Sequence, residues 1–121
     1  MKQYQHLLKM LEVAPSLIAH DTHRDVFSTS VVREMALQRG IPLLAVQHHH
    51  AHVAAVLAEH HLTKAAYGLA LDGGELGTDG SIWGGELLLV NGARFERVGH
   101  LRAIDLFGDD DESRVPWRLA A

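Results

Sequence analysis

His48 and His52 stand four residues apart in the run Gln47-His48-His49-His50-Ala51-His52. On an α-helix that spacing brings two imidazoles to one face, close enough to share a metal ion. A helix N-terminus also disfavours the protonated ring, which keeps nitrogen lone pairs available near neutral pH. Two histidines make half a site, and the missing hard ligand is expected at a neighbouring strand end. Asp72, just after the apolar run Ala65 to Leu71, is the candidate. Packing or a solvated face is the competing reading of an isolated histidine pair. Four histidines in the five residues from His48 to His52, on an apolar segment, argue instead for a metal or substrate site. His60 and His61 suit a helix C-terminus and need no chemical role. His6, His20, His23 and His100 carry no individual signal, although Asp21 and His23 at another strand end could point into the same cleft.

A second candidate is the loop Leu71-Asp72-Gly73-Gly74-Glu75-Leu76-Gly77-Thr78-Asp79-Gly80. Glycines let backbone amides approach an anion closely, as phosphate-cradling turns do. A hairpin loop with acidic turn residues is the plainer alternative. The run is neither a Walker loop, lacking Gly-Lys-Ser/Thr, nor a dinucleotide fingerprint, because a strand follows it instead of a helix. Trp83-Gly84-Gly85-Glu86 places two glycines inside a strand, which marks a bulge or a close approach. Trp83 reads as a core or rim aromatic, Asp109 to Glu112 as a solvated loop, and Pro116-Trp117 as a tucked end.

The elements that must position these residues follow from periodicity. Leu7, Leu8 and Leu11 predict a first helix stopped near Pro15, and Ser16 to His20 a strand buried on both faces. Asp21 to Asp25 is a polar turn. Phe27, Val31, Val32, Met35 and Leu37 mark a second helix closed by Gly40, and Leu43 to Val46 a second strand. His49 to His61 contains no helix breaker and predicts a third helix. Ala65 to Leu71, Ile82 to Val90 and Arg94 to Val98 read as strands, the last two joined at Asn91-Gly92. The order α-β-α-β-α followed by a meander predicts one α/β domain whose sheet mixes parallel and antiparallel strands.

Composition narrows the function classes. The chain has 121 residues, 47% of them hydrophobic, and a net charge of -4, which fits one globular domain. That balance suggests neither a nucleic-acid surface nor a polybasic membrane patch. With no cysteine, disulfides, thiolate catalysis and thiolate zinc sites are excluded. Any metal site must use imidazole and oxygen. No apolar run reaches the roughly 18 residues of a membrane span, and the N-terminus is unlike a signal peptide, so a cytoplasmic location is expected.

Five segments carry a family resemblance: Val46 to His52, Leu71-Asp72-Gly73, Gly77-Thr78-Asp79-Gly80, Trp83-Gly84-Gly85-Glu86, and Arg114 with Pro116-Trp117-Arg118. In order and spacing the sequence resembles the hydrogenase maturation carbamoyltransferases, the HypF family. The likeness is to their transfer module, similar in turn to tRNA threonylcarbamoyl-transfer proteins and O-carbamoyltransferases. It implies a partial actin-like ATPase (ribonuclease H-like) lobe, α/β with a mixed sheet and about three helices, and a single partial carbamoyl-transfer domain over residues 1–121. The implied reaction moves a carbamoyl group from carbamoyl phosphate, through carbamoyl adenylate made with ATP, to the C-terminal cysteine of HypE. The family's metal set maps onto His48, His52 and Asp72, with zinc, iron or magnesium as the divalent ion. Catalytic roles are expected for Asp72 and His49, and contacts to substrate or nucleotide for Gly73, Gly74, Gly84 and Gly85. The implied partners are a HypE-like acceptor or a complementing chain segment.

Complete family members also carry zinc fingers, an adenylate-forming domain and a second lobe that 121 residues cannot contain. Glu75 stands where the family often has glycine. The alternative reading is therefore a catalytically inactive, stand-alone metal-binding or partner-binding remnant. Half of a two-lobed fold should also expose apolar surface and self-associate or be marginally stable.

Overall fold

The structure, a computed structural model, describes residues 2–23 and 27–103. Its elements run α1 (Lys2–Leu11), β1 (Ile18–Asp21), α2 (Phe27–Arg39), β2 (Leu43–Val46), α3 (His48–Glu59), β3 (Ala66–Ala70), β4 (Glu75–Leu76), β5 (Ile82–Trp83), β6 (Glu86–Asn91) and β7 (Arg94–His100). The expected fold class is present, with three helices and both strand senses. The strand senses are separated: β1 and β2 pair in parallel, β3, β6 and β7 form an antiparallel sheet in that order, and β4 pairs with β5. No helix among the described residues is long and apolar enough to cross a membrane.

Two small cores hold these layers. Ile18, Met35 and Ala36 are buried together, with Tyr4, Val31, Val32 and Ile41 packed around them, so α2 covers one face of β1. Val53, Ala70, Trp83, Leu88 and Val90 form the other core, flanked by Leu57 and Phe95, where α3 lies across β3 and β6. Gly68 permits that approach. A Cβ placed there would collide with Val53 Cγ1, so only a residue without a side chain lets α3 lie this close.

The structure corrects several expectations. The first strand runs Ile18–Asp21, and only Ile18 in it is buried, while Leu43 and Leu44 of β2 are exposed. The reason is that α2 packs on the Ile18 face of β1, whereas the register partners Ala19 and Leu44 lie on an exposed one. The expected strand from Ile82 to Val90 is broken into β5 and β6, because Gly85 has φ +71 and interrupts the extended path. The glycine loop is not all turn: Glu75–Leu76 pairs with Ile82–Trp83. The third helix stops at Glu59, with His60 as its cap and His61 at φ 54. The hairpin turn falls on Gly92 and Ala93, since Asn91 pairs with Arg94. Arg24, Asp25, the acidic run from Asp109 and the Arg114 to Arg118 motif lie outside the described residues.

Candidate functional site

Gln47 starts the histidine helix. Its backbone is extended, at φ -69 and ψ 136, and its side-chain Oε1 accepts the His50 N–H at 2.9 Å. This satisfies one of the free amides of the first turn and fixes the helical phase from His48 onward. His48 and His52 therefore share a face, their Nε2 atoms 3.0 Å apart. Three strand ends deliver the rest. Asp21 ends β1 opposite Val46 in the parallel register, Gln47 follows β2, and Asp72 lies two residues past β3.

Asp72 Oδ2 lies 2.9 Å from His48 Nε2 and 3.2 Å from His52 Nε2. The three atoms thus form a triangle with sides of 2.9, 3.0 and 3.2 Å. Both oxygens of Asp72 are buried and make no hydrogen bond of proper geometry. A buried carboxylate beside two imidazole nitrogens, with no bond between them, is the donor arrangement that suits a cation. Two imidazole nitrogens and one carboxylate oxygen are thus gathered closely enough to hold one divalent ion.

Asp21 stands behind the His48 ring. His48 Nδ1–H donates to Asp21 Oδ2 at 3.2 Å, which leaves the Nε2 lone pair turned toward His52 and Asp72. Partial burial pushes the Asp21 carboxyl up, but hydrogen bonds from the His23 N–H and from His48 outweigh it and hold the group below its ordinary value. Glu75 adds a further carboxylate, within 4.8 Å of ligand atoms of both Asp21 and His48.

The other histidines divide by environment. His49 is fully buried, with Nε2 at 3.4 Å from Asp72 Oδ1 and Nδ1 at 3.0 Å from Gln47 Nε2. It therefore reaches the cluster from behind Asp72, whereas His52 forms the exposed rim. His50 stacks on Phe95 with ring centroids 4.7 Å apart, and its Nε2 lies 3.1 Å from the Gly92 carbonyl. That contact ties α3 to the β6–β7 turn. His20 and His100 each bond the carbonyl of the following residue, and His60 and His61 are exposed at the helix end, as expected.

Among the glycines, Gly73, Gly74 and Gly84 are exposed beside Asp72. A Cβ on Gly84 would stand 3.6 Å from the Gly73 carbonyl oxygen, so the two glycine segments lie against each other. Gly85 differs: it is buried, its carbonyl accepts the Leu101 N–H at 2.9 Å, and its α-carbon faces the Leu101 side chain.

Sequence reasoning missed one polar assembly. Buried Glu86 takes Arg97 in a two-pronged bond at 2.6 and 2.9 Å and accepts the Gly84 N–H at 3.0 Å. Arg97 also lies 4.4 Å over the Trp83 ring. Burial raises the Glu86 pKa, but the Arg97 guanidinium and the Gly84 amide prevail and keep it below the usual range. Trp83 Nε1 donates to Asp79 Oδ1 at 2.9 Å, and bonds from the Ser81 hydroxyl and amide pull the Asp79 carboxyl down to about 2. An acid next to two glycines, with an arginine on the returning strand, was the available signal.

Helix N-terminus, strand ends and imidazole pair thus converge on one point of the fold. Residues 1–59 match the family model described as the HypF Kae1-like domain, and residues 68–121 match the second subdomain of the carbamoyltransferase Kae1-like domain. The chain is 59% identical over 116 residues to carbamoyltransferase HypF2 of Cupriavidus necator, covering 96% of this chain and 14% of that protein. The crystal structure of T. kodakarensis HypF superposes with TM-score 0.82 at 41% identity, over 97% of this chain and 16% of that one. Full-length HypF in its phosphate- and nucleotide-bound form gives TM-score 0.75 at 40% identity, over 84% and 13%. The chain belongs to the HypF carbamoyltransferase family, as a partial ribonuclease H-like lobe. It spans between 13% and 16% of the length of these three relatives.

Proposed function

We propose that this domain supplies the metal-binding half of a carbamoyl-transfer site. The observation that carries the reading is the triangle of His48 Nε2, His52 Nε2 and Asp72 Oδ2, gathered at strand ends with the carboxylate otherwise unbonded. A divalent ion on these ligands supplies Lewis acidity and a template for phosphate oxygens and the carbamoyl carbonyl. Two imidazole donors favour iron(II) or zinc(II) over magnesium, which prefers oxygen ligands. Asp21 holds the His48 ring by its Nδ1 proton. Asp72 carries the hard donor, and exposed Gly73, Gly74 and Gly84 leave backbone without side chains beside it, where an anionic acyl donor fits. Glu75 adds negative charge at one edge of that space.

In this reading the donor is carbamoyl adenylate, formed from carbamoyl phosphate and ATP. The acceptor is the C-terminal cysteine of a HypE-like protein, and the setting is cytoplasmic [NiFe] hydrogenase maturation. The family membership and the likeness to a phosphate- and nucleotide-bound HypF support it. Substituting His48→Ala/His52→Ala into a full-length relative, at the matching positions, should abolish carbamoylation of the acceptor while leaving carbamoyl adenylate formation intact. Transfer at the unsubstituted rate would overturn the proposal.

A further inference from the structure

The buried ring of His49 touches Asp72 and not the open face of the site, and its proton can be placed from its neighbours. Gln47 Oε1 accepts the His50 N–H at 2.9 Å, so the amide cannot turn over without losing the helix cap. Gln47 Nε2 must then donate to His49 Nδ1 at 3.0 Å. An Nδ1–H would face that amide N–H head on, so the His49 proton sits on Nε2. Nε2 lies 3.4 Å from Asp72 Oδ1, and both atoms are buried without a hydrogen-bond partner, so each is the nearest polar group able to satisfy the other. A shift of about 0.4 Å brings them to ordinary hydrogen-bond length.

We infer that Gln47 and His49 are positioning residues: Gln47 locks the Nε2–H tautomer of His49, whose proton holds Asp72 Oδ1 so that Oδ2 faces His48 and His52. The inference rests on the metal reading for its consequence but not for its geometry. Outer hydrogen bonds of this kind turn and hold a ligating carboxylate, and their loss typically costs 10- to 100-fold in metal affinity. The capping glutamine thereby performs two tasks, since one amide both starts the helix and sets the tautomer behind the carboxylate.

Two measurements on the full 121-residue chain test this. Long-range proton–nitrogen NMR on the histidine-labelled, metal-free chain should show His49 with a protonated Nε2 and an unprotonated Nδ1. The reverse tautomer overturns the inference. Zinc(II) titration against a competing chelator should then show about 10- to 100-fold weaker binding for His49→Phe, which keeps the ring volume but has no donor. His49→Gln, whose amide N–H reaches the former Nε2 position, should recover most of that loss. Zinc binding by a folded His49→Phe at wild-type affinity overturns the positioning role. Should His49→Phe fail to fold, His49→Gln decides: near wild-type affinity supports the role, and a loss as large as that of His48→Ala overturns it. If the wild type itself takes up no zinc, the metal reading fails, while the NMR assignment still decides the tautomer lock.

Discussion

At the residue scale the site is a set of imidazole orientations, each fixed by the nitrogen that faces away from the cluster. Asp21 fixes His48 by accepting from Nδ1, and Gln47 fixes His49 by donating to its Nδ1. Asp21→Asn should therefore weaken zinc(II) binding about 10-fold, because an amide no longer enforces one His48 tautomer. Calorimetric titration checks this, and unchanged affinity would show that Asp21 is only a turn residue. His48, His52 and Asp72 were legible in the sequence because helical spacing and the strand-end rule do not depend on detail. The place of His49 was not legible. Each helical residue advances by about 100°, so which histidine faces the sheet depends on where the helix starts. That start is set by the Gln47 side chain, which no periodicity reveals.

At the scale of elements, two contacts hold the glycine segments beside the helix. The Glu86–Arg97 pair braces Trp83 and the Gly84 amide, with Glu86 almost wholly buried. Its folded pKa lies below the ordinary 4.5, so its stabilisation is full above that value and is lost as pH falls through the lower folded one. Glu86→Gln should therefore be less stable than wild type by about 2 kcal/mol at neutral pH, and the gap should narrow progressively as pH falls below 4.5. Urea melts at pH 7 and pH 3 measure it, and a pH-independent gap would contradict the charge argument. The second contact is Gly68 under Val53. Gly68→Ala should cost about 1–3 kcal/mol from overpacking, with partial recovery in Gly68→Ala/Val53→Ala. The α2–β2 unit was readable because Gly40 and Pro42 punctuate it. The broken strand at Gly84-Gly85 was readable only as a bulge or close approach, because a two-residue ladder such as β4–β5 is too short to leave a period in the sequence.

At the scale of the molecule, the described residues form a lobe with exposed apolar faces. Leu43, Leu44, Tyr67, Leu69, Leu71 and Ile82 are exposed, and the two cores contain eight buried hydrophobic residues between them. Such surface favours association, so sedimentation velocity over a wide concentration range should show concentration-dependent self-association or a low melting temperature. A monodisperse, heat-resistant monomer would contradict this. The central claim is that His48, His52 and Asp72 ligate one divalent ion. Anomalous diffraction from crystals of the chain grown with equimolar zinc(II) tests it most directly. The account predicts one strong peak about 2.0–2.2 Å from His48 Nε2, His52 Nε2 and a carboxylate oxygen of Asp72. A map with no peak within bonding distance of these three residues would contradict it.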